Sequence, residues 1–232
     1  FTDESYPPAL FRKLARGLIE TNMGIVWTTH MRFEKSLLED QVWQDAKESG
    51  CKYLHFGYES GNERVLRLMD KATTTAIMTE HLKRTAEAGI WNHCMGFFGF
   101  PGETREEAWS SVQFLEQNKD YVHSLGFGTF DLGRHNPVAK HPEKFGVTAY
   151  KNPEWDLALD YYFTVKQGLS IEEAERVFEE FERNHNPGWD LRLFIREYIF
   201  LYIARFGLQK LPDLQYRSAK IAGASPTLAG KM

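Results

Sequence analysis

The sequence predicts an α/β protein built on a parallel sheet. Short apolar runs and helix-like runs alternate along the first 135 residues. Glycines punctuate the ends of the helical runs, at Gly50 and Gly89. Two segments, Phe56-Gly57-Tyr58-Glu59-Ser60-Gly61 and Gly99-Phe100-Pro101-Gly102-Glu103-Thr104, each close an apolar run and open a helix-like one. In parallel α/β sheets, such carboxyl ends of strands are where small-molecule sites form. An acid in the first segment and a stiff glycine turn in the second suit a polar, charged organic ligand.

The elements follow in order. Pro7 to Glu20 reads as a helix, with Leu10, Phe11, Leu14 and Leu18 at three- and four-residue spacing. Ile25 to Thr29 reads as a strand, Leu37 to Ser49 as a helix, and Lys52 to Tyr58 as a strand. Asn62 to Met69 and Thr75 to Ala88 are two helical pieces, and Ile90 to Phe98 is a strand. Arg105 to Asn118 is helical, with Thr104 as its N-cap and Glu106 and Glu107 favourable in the first turn. Val122 to Leu132 is the last strand-like stretch. Crossovers of this length imply parallel strands joined in the right-handed sense. Such strands are too few for a complete eight-stranded barrel, so a partial barrel or an open sheet is expected.

The pattern changes after Pro137. His135 to Tyr150 reads as a long loop, and Glu154 to Lys166, Ser170 to Asn184 and Leu191 to Phe206 read as helices. The second of these opens on the capping box Ser170-x-x-Glu173. Ala222 to Pro226 reads as a tail. The expected division is a partial (β/α) barrel over residues 1–147 and an α-helical extension with a tail over 148–232.

Composition narrows the function classes. The chain has 232 residues with a net charge of −4, so no basic surplus points to nucleic acid. No apolar run approaches the roughly 18 residues that span a bilayer. Cys51 and Cys94 are the only cysteines, which argues against a disulfide framework and fits a reducing, cytoplasmic setting. Neither GxGxxG nor GxxxxGK[ST] is present, nor HxH or HExxH. The chain starts on Phe-Thr without a methionine, and a fragment of a longer protein is the expectation.

Several motifs in order carry a resemblance. Phe56 to Gly61 is followed by Asn62-Glu63-Arg64-Val65-Leu66, Met69-x-Lys71, Ala88-Gly89-Ile90 and Gly99 to Thr104. This succession resembles the radical SAM superfamily, in the branch often fused to an N-terminal cobalamin-binding domain. Phe1 to Ser5 resembles that branch's second strand end, and Trp27 and Arg32 its third strand. Asn136-Pro137-Val138-Ala139 with Phe145-Gly146-Val147 resembles the loop after its sixth strand. The resemblance covers roughly residues 1 to 147. It implies a partial parallel (β/α) barrel, S-adenosylmethionine (SAM) as ligand, a 4Fe–4S cluster, and cobalamin where the extra domain is present. Such enzymes cleave SAM reductively to start radical chemistry on a substrate.

The defining CxxxCxxC of that superfamily is absent. Cys51 and Cys94 lie at separate strands, forty-three positions apart, and cannot supply it. Truncation before the second strand is the simpler expectation, in which case the isolated chain is inactive. A degenerate half-barrel serving as a non-catalytic scaffold or interaction module is the alternative.

The resemblance also assigns residues. Asp3 and Glu4 would meet the amino group of the methionine moiety, although Asp3 or Ser5 can equally cap the next helix. Glu59, with Ser60 beside it, would take ribose hydroxyls; the plainer reading is an acid at a helix start beside Asn62. Phe97 and the Gly99, Pro101, Gly102 and Glu103 turn would lie toward adenine, with Phe97 as core filler and Glu103 as a brace for the turn the plainer roles. Arg32 would pair with the SAM carboxylate or, more simply, with Glu34. His30, His55, His93, Asp131, Arg134 and His135 are candidates for the substrate side or for ordinary structural positions. The partner expected is a small-molecule substrate, read by the barrel interior and the C-terminal additions.

Overall fold

The computed structural model describes residues 6–150, 159–184 and 196–207. Its first half alternates helix and strand: α1 (Pro8–Thr21), β1 (Trp27–Met31), α2 (Asp40–Glu48), β2 (Cys51–Glu59), α3 (Glu63–Leu68), α4 (Thr75–Glu87), β3 (Trp91–Phe98), α5 (Arg105–Gln117) and β4 (Ser124–Thr129). The four strands form one parallel sheet in the order β1-β2-β3-β4. Sequential strands are therefore neighbours, as in a wall of a (β/α) barrel.

Alternation along the strands sorts the two faces. Met31, Leu54, Phe56, Tyr58 and Cys94 join Trp43, Met78, Leu82 and Leu115 of the helices in the largest core cluster. This burial is the main force fixing the register, since a one-residue slip would expose the whole set. On the other face, Tyr53 and Trp91 pack with Ile199 and Ile203 of the last helix, α8 (Arg196–Phe206). Gly50 makes the turn into β2 at φ 94°, where a Cβ would stand 2.0 Å from the Ile25 carbonyl oxygen. At the outer edge of β1, the Tyr6 amide donates to the His30 carbonyl at 3.2 Å.

After β4 the chain builds a smaller layer. It contains β5 (Leu132–Gly133), the short α6 (Pro137–Lys140), a 3₁₀ turn at Pro142–Phe145, β6 (Val147–Tyr150), β7 (Asp160–Val165) and α7 (Ile171–Asn184). β7 pairs antiparallel with both β5 and β6. Strands from before and after residue 147 thus share one sheet.

Three expectations change here. Glu154 to Lys166 was expected as a helix, but Asp160–Val165 is a strand; residues 151–158 lie outside the described ones. Tyr161, Phe163 and Val165 alternate with Asp160, Tyr162 and Thr164, and pairing with Val147–Tyr150 selects the two-residue period. The expected loop at 135–150 holds α6 and β6. The strand expected over 122–132 divides into β4 and β5; the Phe130 amide still donates to the Phe98 carbonyl at 2.8 Å, and β5 then pairs with β7 instead of β3. Of the expected helix at 191–206, residues 191–195 fall outside the described set, as does the 222–226 tail. Among the described residues no helix is long and apolar enough to cross a membrane.

Candidate functional site

β2 and β3 end side by side, and their ends carry the two motifs. Register pairs Glu59 with Gly96, after an irregularity between Gly57 and Glu59. That irregularity has a backbone signature: Glu59 has φ 62°, a left-handed conformation that costs a residue with a side chain about 1–2 kcal/mol. The turn lays its carboxylate back over Gly57, where a Cβ would stand 3.0 Å from Glu59 Oε1. Lys71, just past α3, donates to the same oxygen at 2.8 Å. The Glu59 side chain stays 21% exposed, so the pair is reachable from solvent. Glu59 does not cap the helix that follows. Asn62 does, its Oδ1 accepting from the Arg64 and Val65 amides at 3.0 and 3.2 Å.

Ser60 lies elsewhere. It is fully buried, its hydroxyl 3.0 Å from that of Ser111 on α5 and accepting from the Asn62 amide at 3.2 Å. Ser111 Oγ also accepts from the Gly61 amide, and its carbonyl from the Tyr58 hydroxyl. The hydroxyls thus fasten the first motif to α5.

The second motif is a tight turn. Gly99 and Gly102 adopt φ 86° and 90°, which favours glycine at both. Pro101 is buried between them. Glu103 points inward and is fully buried; its Oε2 accepts from the Gly99 amide at 2.6 Å. Burial pushes its carboxyl up to about 7, and the hydrogen bond from Gly99 opposes this. Glu103 is therefore an internal brace that closes the turn on itself. Arg64 of α3 grips the turn from outside, donating to the Gly102 carbonyl at 2.6 Å and pairing with Glu107. The hydrogen bond from Arg64 holds Glu107 below the usual carboxylate range. Glu107 closes a capping box with Thr104 at the start of α5.

Phe97 is half-buried at the end of β3, its ring 5.6 Å from that of Phe130 and 6.5 Å from that of Phe100. It faces Gly128 across the strand pair, and a Cβ on Gly128 would meet nothing within 4 Å. Open space thus adjoins Phe97 at Gly128. Arg32 is exposed just beyond β1, and among the described residues it has no ion pair with Glu34. Asp3 and Glu4 lie outside the described residues.

Deeper on the same face, His30, His55 and His93 stand in register across β1, β2 and β3. The first two rings stack at 4.4 Å, and the second pair meet edge-on at 5.5 Å. His93 Nδ1 lies 2.8 Å from Ser124 Oγ on β4. Among the described residues no group of three His, Cys, Asp or Glu side chains is placed to hold a metal. Asp131 is exposed, and its carboxyl is raised by partial burial and by neighbouring Asp160. Both cysteines are buried and free. Burial pushes the Cys51 thiol up to about 12 and the Cys94 thiol up as well, so both stay protonated. Iron–sulfur clusters are held by thiolates, so the cysteines of this chain do not fit one.

Lys71 and Arg64 lie within the sequence motifs, and their roles follow from the fold. Their spacing is the signal in the sequence: Lys71 follows the helix after Glu59, and Arg64 lies in that helix's first turn. The Gly57 vacancy had none, because it follows from the left-handed turn at Glu59.

A parallel (β/α) wall whose strand ends carry an acid motif and a glycine turn is similar to the fold of radical SAM enzymes. Residues 5–115 match the family model of the radical SAM superfamily. Over 100 residues the chain is 31% identical to an uncharacterised methyltransferase of Pyrococcus horikoshii, covering 42% of this chain and 21% of that protein. Over 190 residues it is 26% identical to the cytidylyl-2-hydroxyethylphosphonate methyltransferase of Streptomyces wedmorensis, covering 77% of this chain and 34% of that one. The chain thus spans between a fifth and a third of these relatives' lengths. The structure resembles the radical SAM methyltransferase TsrM of Kitasatospora setae, solved with cobalamin and a 4Fe–4S cluster bound. That likeness has a TM-score of 0.54 at 16% identity, over 74% of this chain and 35% of that one, and it shows the fold.

Proposed function

We propose that this chain is the SAM-positioning part of a radical SAM enzyme. The observation that carries the reading is Glu59: a strained, left-handed acid, about one-fifth exposed to solvent, held by Lys71 beside the glycine turn. Strain of this kind persists where surrounding structure enforces it, and it concentrates at ligand sites. Glu59 accepts hydrogen bonds from the ribose hydroxyls. Lys71 holds its carboxylate in place. Phe97 and the Gly99–Gly102 turn flank the adenine, with Pro101 and Glu103 fixing the turn's shape. Asp3, Glu4 and Arg32 are assigned to the methionine end.

For the whole protein the activity would be reductive cleavage of SAM, a chemistry that a 4Fe–4S cluster supplies. The buried, protonated thiols Cys51 and Cys94 do not suit that cluster, which supports the reading that the 232 residues alone are inactive. The methyltransferases among the relatives, and the cobalamin bound by TsrM, support methyl transfer with cobalamin as the whole protein's chemistry. The substrate side would be the inner face bearing the three histidines.

The test is direct. S-adenosylhomocysteine, which needs no cluster, should bind the purified chain saturably in calorimetry, and Glu59→Gln should weaken it. Reconstitution with iron and sulfide should yield neither cluster absorbance nor SAM cleavage. A chain that binds no adenosyl ligand would instead fit a non-catalytic scaffold built on a degenerate half-barrel.

A further inference from the structure

The family match ends at residue 115, yet the tightest contacts on the candidate adenine turn come from residues 168–174. Gly168, at φ 91° between β7 and α7, lies against the turn's backbone. A Cβ there would stand 2.7 Å from the Glu103 carbonyl oxygen, 2.8 Å from the Gly102 carbonyl carbon and 2.9 Å from the Glu103 nitrogen. The next residue locks the approach, the Leu169 amide donating to that same carbonyl at 2.8 Å. At the start of the turn, Ala174 fills the space over Gly99, where a Cβ would come within 2.5 Å of the alanine methyl. Neither contact has room for one more carbon, and backbone cannot move aside as a flexible side chain can.

The segment is itself firmly held. The Ser170 amide donates to Glu173 Oε2 at 2.8 Å, and the Glu173 amide donates to Ser170 Oγ at 3.2 Å, closing the capping box of α7. Leu169, Ala174, Val177 and Phe181 bury against Phe98, Ala108 and Val112, on the strand and helix that flank the turn. Arg105 at the start of α5 pairs with Glu180 across the same joint. The C-terminal unit is thus seated on both ends of the turn as well as on its middle.

We propose that Gly168, Leu169 and Ala174 are positioning residues for the adenosyl ligand. They clamp the 99–103 turn from behind and fix where its backbone groups stand, while touching no ligand themselves. The inference rests on the SAM reading above for its ligand, and on the turn's own geometry for its mechanism. It gives the C-terminal segment a part in the site that its sequence did not announce. Residues 168–174 would tune affinity, whereas the Glu59 end of the site would be untouched by them.

The experiment reads the turn and the ligand separately. Amide exchange in the wild-type chain should show Gly99 and Glu103 protected, since their amides donate to Glu103 Oε2 and the Phe100 carbonyl. Gly168→Ala should speed exchange at those two amides by about tenfold or more while Leu54 and Phe56 in β2 keep their protection, as expected for local rather than global opening. It should also weaken S-adenosylhomocysteine by roughly tenfold, since small misplacements of a positioning group have large effects. Should Gly168→Ala fail to fold, Ala174→Val is read in the same way. A cycle gives an independent arm: Gly99→Ala should be less damaging in an Ala174→Gly background than alone, because the lost methyl makes room for the new one. Selective loss at Gly99 and Glu103 with a non-additive cycle supports the clamp. Unchanged exchange in Gly168→Ala, or an additive cycle, overturns it. Absence of ligand binding by the wild type would overturn the SAM reading alone, and the exchange and cycle arms would still decide the clamp.

Discussion

Replacing Glu59 by glycine separates function from stability. Three terms follow from its geometry. Relief of the left-handed backbone at φ 62° returns about 1–2 kcal/mol. Glycine's greater freedom in the unfolded chain costs about 0.5–1 kcal/mol. The ion pair with Lys71 joins side chains that are 21% and 35% exposed, and its loss costs about 0–1 kcal/mol. These terms largely offset, so Glu59→Gly should leave unfolding stability between a gain of about 1.5 and a loss of about 1 kcal/mol. Ligand affinity should behave differently. A hydrogen bond to a charged group contributes about 1.5–3 kcal/mol, so S-adenosylhomocysteine should bind roughly 10- to 150-fold more weakly. Urea titration and calorimetry on the same sample measure both quantities. Glu59→Gln, which keeps the shape and removes the charge, should fall between the two in affinity. A stability loss above about 2 kcal/mol with affinity unchanged would make Glu59 a structural residue and refute the reasoning.

Further outcomes follow from the surrounding contacts. Glu103 has its carboxyl raised from 4.5 to about 7 by burial, so the folded state holds its proton more tightly than the unfolded state. Its contribution is fully present below pH 4.5 and is lost as pH rises through about 7. Glu103→Gln should flatten this part of the stability profile, read as urea midpoints across that range, and should gain relative to wild type above it. Thr104→Ala removes one half of the capping box on α5 and should cost about 1 kcal/mol in urea unfolding. Gly50→Ala forces a side chain into φ 94° and against the Ile25 carbonyl, so it should lower the unfolding midpoint more than Thr104→Ala does.

The first half of this chain was legible because its signals are local. Thr104 with Glu107, and the glycine stop at Gly50, each act within a few residues, and the parallel topology then brings strand carboxyl ends together. The β7 strand was not legible. Its aromatic residues satisfy a helical spacing as readily as a strand's, and only the distant partner Val147–Tyr150 decides between them. The site divides along the same line. An acid at the end of β2 could be read from pattern, but its left-handed backbone, the vacancy at Gly57 and the reach of Lys71 depend on how three segments meet. Gly168 is the extreme case. No residue near it in sequence requires a glycine as strongly as the backbone of Glu103 does, sixty-five positions away. Pattern therefore finds where a ligand can bind, whereas the residues that hold the binding groups still are set by long-range packing, and these are the positions where substitution should be most informative.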